Sequence, residues 1–155
     1  MTTNGFVLGG QSNANMRGVH PDLVRVVERA ITLTKVDFAV IEGVRSRERQ
    51  EQLFKSGASK TLDSLHLTGR AVDLAAWVGG RHSWDWPLYY DIAEAMRDAA
   101  IAEGVVLVWG GVWDRELNVL QGDLEDDVAS YVKRRKAMGK KAFVDGAHFQ
   151  LAGGQ

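Results

Sequence analysis

The segment SLHLTGRAVDLAA, residues 64–76, places two ionisable side chains within an apolar run. Its apolar residues predict a buried β-strand, and His66 and Asp73 stand on either side of Gly69 in that run. An ionisable group without a partner is costly in a protein interior. The segment therefore predicts that both side chains meet a compensating partner in the folded protein.

A second histidine has a comparable setting near the end of the chain. Residues 142–151, AFVDGAHFQL, predict the last strand and carry His148. With His66 and Asp73 it completes a set of two imidazoles and one carboxylate. Zinc binds such ligands at bond lengths of about 2.0–2.2 Å and keeps a fourth position for water. We predict that these three residues hold a catalytic zinc ion.

Each of these residues also has an ordinary structural interpretation. A single buried histidine is more often a hydrogen-bonded core residue than a metal ligand, and a single aspartate beside a turn usually caps it. His20 and His82 lie in segments with the composition of loops, so they are not assigned to the site. The zinc prediction depends on the combination of the three residues.

Asp145 precedes His148 by three positions, with Gly146 between them. In a straight extended strand this spacing directs the two side chains to opposite faces. A bend at Gly146 would bring both into one cleft. A carboxylate that approaches the metal without binding it is placed to accept a proton from the attacking water, so we predict that Asp145 is the general base.

Hydrophobic periodicity predicts that helices and strands alternate along the chain. Helices are predicted at about 21–35, 47–55, 86–104 and 122–141, and strands at 36–43, 71–78, 105–109 and 142–151. Ser46 is placed to cap the second helix, and Gly104 to end the third. The fourth helix has acidic residues first and basic residues last, as a solvated helix does, and receives no binding role.

Length and composition favour one globular domain. The chain has 155 residues, of which 45% are hydrophobic and 25% charged. Its 19 basic and 20 acidic residues leave no excess of positive charge that would favour binding of nucleic acid or anionic lipid. The chain has no cysteine, so it has neither disulfides nor thiolate ligands for a metal. The sequence shows no signal-peptide pattern and no run long enough to span a membrane. We expect a single domain over 1–155, with a loosely ordered segment at 1–18.

Two motifs resemble the paired signatures of a peptidase family. Ser-x-His-x-x-Gly-x-Ala-x-Asp at 64–73 and Asp-x-x-His-Phe-Gln at 145–150 are similar to those of the zinc D-Ala-D-Ala carboxypeptidases and L-alanyl-D-glutamate endopeptidases of peptidoglycan. The resemblance continues through HPDLVRVVERA, VDFAVIEGVRSRERQ and WGGVWD, and so covers most of residues 20–151. It implies an α+β fold, a single compact domain with a small, mostly antiparallel sheet flanked by helices and a zinc site in a cleft, as in D,D-peptidase and hedgehog-like domains.

The resemblance implies a role for each matched residue. His66, Asp73 and His148 would be the zinc ligands, and Asp145 the catalytic base. Arg45 would be the cation that polarises the scissile carbonyl or stabilises its oxyanion. The chain departs from the family pattern just before Arg45 and just before His148, which leaves the shape of the substrate groove and the bond cleaved open.

Compact chains of this family that lack a signal peptide are typically bacteriophage endolysins. The resemblance therefore implies an endolysin that cuts the L-Ala–D-Glu bond of the peptidoglycan stem. The alternatives are a D,D-carboxypeptidase that trims terminal D-Ala and a non-catalytic zinc domain that binds the cell wall. We expect a monomer whose partner is bacterial peptidoglycan, with no nucleic-acid or membrane partner. It would be made in the host cytoplasm and act on the wall after release through a holin.

Three further residues are candidates for substrate binding. Trp109 and Trp113 flank Gly110-Gly111 after a predicted strand, where they are placed to form a groove wall against the stem peptide. Large aromatic residues at a strand end also pack in the core, which is the alternative for both. Ser64 precedes His66 by two positions, and its hydroxyl is available either to bind peptide or to cap a turn.

Overall fold

The computed structural model of the protein describes residues 4–153, and it confirms the predicted α+β class. Its helices are α1 (Gly10–Asn15), α2 (Pro21–Leu33), α3 (Arg47–Lys55), α4 (Trp86–Glu103) and α5 (Leu124–Ala137). Its strands are β1 (Phe38–Glu42), β2 (Ala71–Val78), β3 (Arg81–Ser83), β4 (Leu107–Trp109), β5 (Val112–Glu116) and β6 (His148–Leu151). Two short 3-10 helices cover Leu65–Thr68 and Leu117–Val119.

The strands form one sheet with the order β1-β2-β6-β4-β5, and β3 pairs with the far end of β2. Each described pairing is antiparallel, as the resemblance implies. The strands β2 and β6 are neighbours within the sheet, and their register places Asp73 directly opposite His148. Pairing of these two strands therefore brings together two of the predicted zinc ligands.

The hydrophobic core lies on one face of the sheet, against α2 and α4. Successive side chains of a strand point to opposite faces. In β2, Val72, Leu74 and Ala76 belong to the core, whereas Asp73 and Trp77 have the opposite orientation. The helices contribute Leu23, Val26, Val27, Ala30, Ile31, Ile92, Ala93, Met96, Ala99 and Ala100. The face of β2 that carries Asp73 is consequently available for a site.

Several element boundaries follow from local signals and are confirmed. The helix α3 begins after Ser46, whose Oγ accepts a hydrogen bond from the amide of Arg49 at 3.1 Å. The strand β2 has the predicted bounds. The helix α4 ends before Gly104, which adopts a φ of +68° that favours glycine.

The strand predictions are wrong in two segments near the candidate site. Residues 64–70 form a capped 3-10 turn before β2 begins, so His66 does not lie on a strand. The last strand begins at His148, and residues 142–147 lead to it without strand pairing. Phe143 and Val144 of this segment are partly exposed, so the apolar character of the segment does not arise from burial in a sheet.

The structure also differs from the expectation of a loosely ordered N-terminal segment. Within that segment α1 packs on β1, where Ser12 Oγ accepts from the amide of Val40 at 3.0 Å and Asn15 Nδ2 donates to its carbonyl at 2.8 Å. These bonds satisfy backbone groups on the outer edge of the sheet. Residues 10–15 are therefore held in place, while residues 1–3 lie outside the described part of the chain.

Candidate metal centre and cleft

A short turn positions His66 beside the sheet. The Oγ of Ser64 accepts a hydrogen bond from the amide of His66 at 3.2 Å and so begins the 3-10 helix. Gly69 ends it with a φ of +72°, and a Cβ there would lie 2.4 Å from the carbonyl oxygen of Gly18. Only glycine fits both conditions, which explains why the turn that carries His66 has glycine at this position.

Three donor atoms converge from this turn and the two paired strands. His66 Nε2 lies 3.2 Å from His148 Nδ1 and 3.3 Å from Asp73 Oδ1, and the last two atoms are also 3.3 Å apart. A tetrahedral zinc ion with bonds of about 2.0–2.1 Å separates its ligands by about 3.3–3.4 Å. This donor triangle (His66 Nε2, Asp73 Oδ1 and His148 Nδ1) therefore has the dimensions of a metal site.

The donor triangle also contains a buried polar atom that lacks a partner. Asp73 Oδ1 is inaccessible to solvent and has no hydrogen-bond partner among the described residues. Leaving such an atom unsatisfied costs about 1–3 kcal/mol or more for a charged group. The three residues therefore fit a metal cation, which would supply the missing interaction.

Neighbouring groups orient each imidazole so that one nitrogen faces the centre. His66 Nδ1 lies 2.8 Å from the carbonyl oxygen of Gly43, and His148 Nε2 lies 2.8 Å from Oε1 of Gln150. Donation of the outer N–H in each ring leaves the inner nitrogen free to bind a metal. The sequence analysis missed Gln150, although its position two residues after His148 on one strand places both side chains on the same face.

Electrostatic interactions favour an ionised carboxylate at Asp73. Burial acts to raise the pKa of Asp73, but the imidazoles of His148 and His66 outweigh it and hold the pKa well below its usual range. Burial acts to lower the pKa of His148, but the interaction with Asp73 outweighs burial, so the pKa of His148 is raised. Asp73 therefore supplies a negative charge to the donor triangle, as a metal ligand does.

Arg45 is buried next to the donor triangle and is held by several acceptors. Its Nε and Nη2 both donate to Oε1 of Glu42, and Nη1 donates to Oε1 of Gln50 at 2.8 Å. Nη2 also lies 3.4 Å from Asp73 Oδ2, the carboxylate oxygen that is not in the donor triangle. The structure thus links Arg45 directly to a predicted ligand, which sequence reasoning did not anticipate.

Asp145 approaches the same centre from a turn that precedes β6. Its amide donates to the carbonyl of Gly110 at 2.9 Å, and its carbonyl accepts from the amide of His148 at 3.1 Å. Gly146 follows, where a Cβ would lie 2.8 Å from the ring of Tyr89. A turn at residues 146–147 provides the predicted bend, and close packing against Tyr89 of α4 requires glycine at position 146.

The environment of Asp145 suits a proton acceptor. Burial raises the pKa of its carboxyl group, and the negative charge of Asp73 raises it further. A base with a raised pKa binds a proton more strongly than an exposed aspartate does.

The donor triangle opens into a cleft of about 820 Å³. Besides His66, Asp73 and His148, the side chains that line it include Arg45, Ser64, Trp84, Trp113, Phe143 and Asp145. A cleft of this size, with a few polar groups at its base, accommodates a short segment of a polymer substrate.

The structure separates the three residues predicted to bind substrate. Trp109 is 0% exposed and belongs to the core, where its Nε1 donates to the carbonyl of Gly146 at 2.9 Å, so a role for Trp109 in contacting substrate is wrong. Trp113 lines the cleft, with its ring centroid 5.0 Å from that of His148. Ser64 lines the cleft as well, although its hydroxyl also caps the turn of His66.

The fold and the donor triangle together define a class of protein, namely α+β domains that gather two imidazoles and one carboxylate at the base of an open cleft. The chain belongs to the phage L-alanyl-D-glutamate peptidase family, whose sequence profile matches residues 4–152. It is therefore a peptidase. No helix in residues 4–153 has the length and apolar character needed to cross a membrane.

Individual relatives agree with this assignment. The chain is 28% identical over 150 residues to the L-alanyl-D-glutamate peptidase of Escherichia phage T5, a match that covers 94% of this chain and 98% of that protein. It is 32% identical over 78 residues to the L-alanyl-D-glutamate peptidase of Listeria phage A118, which covers 50% of this chain and 27% of the relative. The crystal structure of the Serratia marcescens L-Ala D-Glu endopeptidase ChiX superposes with a TM-score of 0.72 and 39% identity, over 96% of this chain and 92% of that one.

Proposed function

We propose that the protein is a zinc-dependent endolysin that hydrolyses the L-Ala–D-Glu bond of the peptidoglycan stem peptide. The observation that carries the zinc assignment is the donor triangle, because its edges of 3.2–3.3 Å and its unpaired carboxylate oxygen suit a tetrahedral cation. Family membership and the named relatives support the choice of bond.

His66, Asp73 and His148 would hold the zinc ion. When bound, such an ion polarises a peptide carbonyl and makes a water molecule a better nucleophile near neutral pH. Gly43 and Gln150 fix the two imidazole rings through hydrogen bonds, so the inner nitrogens are directed toward the centre before a metal arrives.

Asp145 would move the proton. Its carboxylate accepts a proton from the attacking water as the new C–O bond forms, and then returns that proton to the leaving nitrogen as the C–N bond breaks. Burial, the main cause of the raised pKa of Asp145, supports both steps because it favours the neutral, protonated carboxyl group between them.

Arg45 would stabilise negative charge on the substrate carbonyl. Three of its N–H groups are committed to Glu42 and Gln50, so its guanidinium is rigidly oriented at the cleft wall. A fixed cation stabilises a developing oxyanion better than a mobile one, because no reorganisation is needed during the reaction. Its contact with Asp73 would also orient that ligand.

The proposal extends to the partner, the oligomeric state and the location of the protein. The substrate and partner would be peptidoglycan of the bacterial host, bound by a monomer that needs no nucleic acid or membrane. The protein would be made in the host cytoplasm and reach the wall after release through a holin.

Digestion of purified peptidoglycan tests the proposed function. The zinc-loaded protein is incubated with sacculi, and the new amino termini are identified by mass spectrometry. A new D-Glu amino group supports the proposal. Release of free D-Ala would instead identify a D,D-carboxypeptidase, and binding to sacculi without any new amino terminus would identify a non-catalytic wall-binding domain.

A further inference from the structure

An exposed aromatic cluster lies on the hairpin of β2 and β3. Trp77, His82 and Trp84 form this aromatic platform, with ring centroids 5.2 Å apart for the first pair and 6.3 Å apart for the second. Trp77 is 41% exposed and Trp84 is 55% exposed. Clustered apolar surface of this kind marks an interaction site more often than isolated exposed residues do.

The aromatic platform lies on the same face of β2 as the donor triangle. Residues 73 and 77 are four positions apart on one strand, so their side chains lie on the same face. The two positions are about 13 Å apart along the strand. Trp77 is directly opposite His82 in the β2–β3 register, which places both rings on that face. Val72, Leu74 and Ala76 of the hydrophobic core occupy the other face, and Ala75, which lies between Asp73 and Trp77 on the platform's face, is fully buried. The platform is therefore on the side of the sheet where the cleft opens.

Trp84 joins the aromatic platform to the cleft. It lines the same cavity as His66, Asp73 and His148, while its ring lies next to that of His82. A substrate that is bound at the donor triangle and extends along the cleft past Trp84 would therefore reach the rest of the platform.

We propose that the aromatic platform binds sugar rings of the peptidoglycan glycan strand next to the stem peptide that is cleaved. This inference rests on the proposed function, because only a peptidoglycan substrate carries a sugar there. The scissile bond follows the first residue of the stem, so the attached sugar lies within one residue of the reacting carbonyl. The C–H face of a pyranose ring packs well on a flat indole, which offers a broad and rigid apolar surface.

The surroundings of the platform favour a hydroxyl-rich ligand over a lipid. Asp85 is exposed and charged, and it follows Trp84 directly in the sequence. A carboxylate in this position is able to accept hydrogen bonds from sugar hydroxyls, whereas insertion of the platform among lipid tails would require the carboxylate to lose water.

Binding of glycan strands without peptide tests this proposal independently of hydrolysis. The probe is an alternating N-acetylglucosamine and N-acetylmuramic acid oligomer from which an amidase has removed the stems, titrated into the zinc-loaded full chain by calorimetry. Trp77→Ala should raise the Kd about tenfold, and Trp77→Phe should retain much of the affinity. Phe54→Ala is the matched control, because Phe54 is 43% exposed on α3 and does not line the cleft. Equal affinity of Trp77→Ala and the wild type would overturn the proposal.

Kinetics on two substrates separate binding of sugar from a structural effect. Trp77→Ala should cleave a sugar-free stem peptide at the wild-type rate and should show a raised KM on intact peptidoglycan. If Trp77→Ala loses activity equally on both substrates, the proposal is contradicted. It is also contradicted if the substitution weakens binding to phosphatidylglycerol vesicles and leaves binding to glycan unchanged. If neither substrate is cleaved by the wild type while glycan binding depends on Trp77, the proposed function fails and the platform stands.

Discussion

Replacing Asp145 by asparagine removes a base without removing an atom from the donor triangle. Lytic activity should fall about a hundredfold to ten-thousandfold, since an amide has almost no basicity.

The same substitution should change how stability depends on pH. Burial raises the pKa of Asp145 in the folded protein, so the free energy of unfolding of the metal-free wild type declines as pH rises from the ordinary aspartate range through the raised pKa. The asparagine variant lacks that decline, and its melting temperature at neutral pH should equal or exceed that of the wild type.

A turbidity assay of the zinc-loaded protein on sacculi measures the lytic activity, and a thermal melt of the metal-free protein measures the stability. Asp63→Asn is the matched control, because Asp63 lines the cleft but its side chain is largely exposed. Full lytic activity of Asp145→Asn would exclude Asp145 as the base and direct attention to Glu42, a further carboxylate in the cleft.

Arg45→Lys should reduce kcat with a smaller effect on KM. An ammonium group cannot reproduce the planar arrangement that now contacts Glu42, Gln50 and Asp73 together. Loss of one donor to an oxyanion typically costs about a hundredfold to a thousandfold in kcat. Steady-state kinetics with a stem peptide measure the effect, and zinc affinity is measured in parallel. Unchanged kcat would demote Arg45 to a residue that only orients Asp73.

At the level of residues, sequence predicts chemical type better than it predicts contacts. His66, Asp73 and His148 were identifiable because ionisable groups stand out in apolar runs, and the structure brings all three together. The partners Gln150 and Gly43 depend on strand register and on the path of a loop, which composition does not encode. Trp109 and Trp113 share the same sequence context, yet only the fold decides which of the two faces the cleft.

The packing of α2 against α4 is supported by an ion-pair cluster that should make stability depend on pH. Glu103 at the end of α4 accepts from Arg29 and Arg25 of α2, and these contacts, Arg29 first, lower its pKa. A lowered carboxyl pKa stabilises the fold above the ordinary glutamate range, and this contribution is lost as pH falls through the lowered value. Glu103→Gln should therefore melt below the wild type at pH 7, and the difference should shrink on acidification.

Thermal melts from pH 7 to pH 3 measure this difference. Glu51→Gln is the control, since Glu51 is exposed on α3 and forms no ion pair among the described residues. High salt should also reduce the effect, because exposed charges are screened. A difference between Glu103→Gln and the wild type that is independent of pH would contradict an ionic origin.

At the level of elements, local signals predict boundaries where the chain supplies them itself. Ser46 and Gly104 fix helix ends through backbone geometry, and β2 is bounded by its own apolar pattern. The strands β3 and β5 were missed because most of their side chains are polar and exposed, so neither strand carries an apolar pattern. Residues 142–147 were mistaken for a strand because apolar residues that face a cleft resemble those that face a core.

At the level of the whole molecule, zinc should stabilise the fold by tying together three separate parts of the chain. The donors come from the turn before β2, from β2 and from β6, so binding requires the native pairing of β2 with β6. A ligand that binds only the folded state at a free concentration a hundredfold above its Kd adds about 2.7 kcal/mol to the free energy of unfolding. Urea unfolding with and without zinc measures this, and His148→Ala should abolish the difference. Equal stabilisation of His148→Ala would place the zinc elsewhere.

The sheet order itself could not be predicted from local pattern. Alternating helices and strands commonly indicate a parallel sheet, and the antiparallel arrangement entered only through the family resemblance. The insertion of β6 between β2 and β4 depends on contacts between distant segments. This long-range pairing creates the site, because Asp73 and His148 become neighbours only through it.

The metal-to-protein ratio, measured by elemental analysis after equilibration with zinc and removal of excess metal, tests the central claim most directly. The variants required are Asp73→Ala, which removes a donor, and Asp145→Asn, which removes the base. We predict one zinc per chain in the wild type and in Asp145→Asn, and none in Asp73→Ala. Zinc retained at full stoichiometry by Asp73→Ala, or lost from Asp145→Asn, would contradict the account.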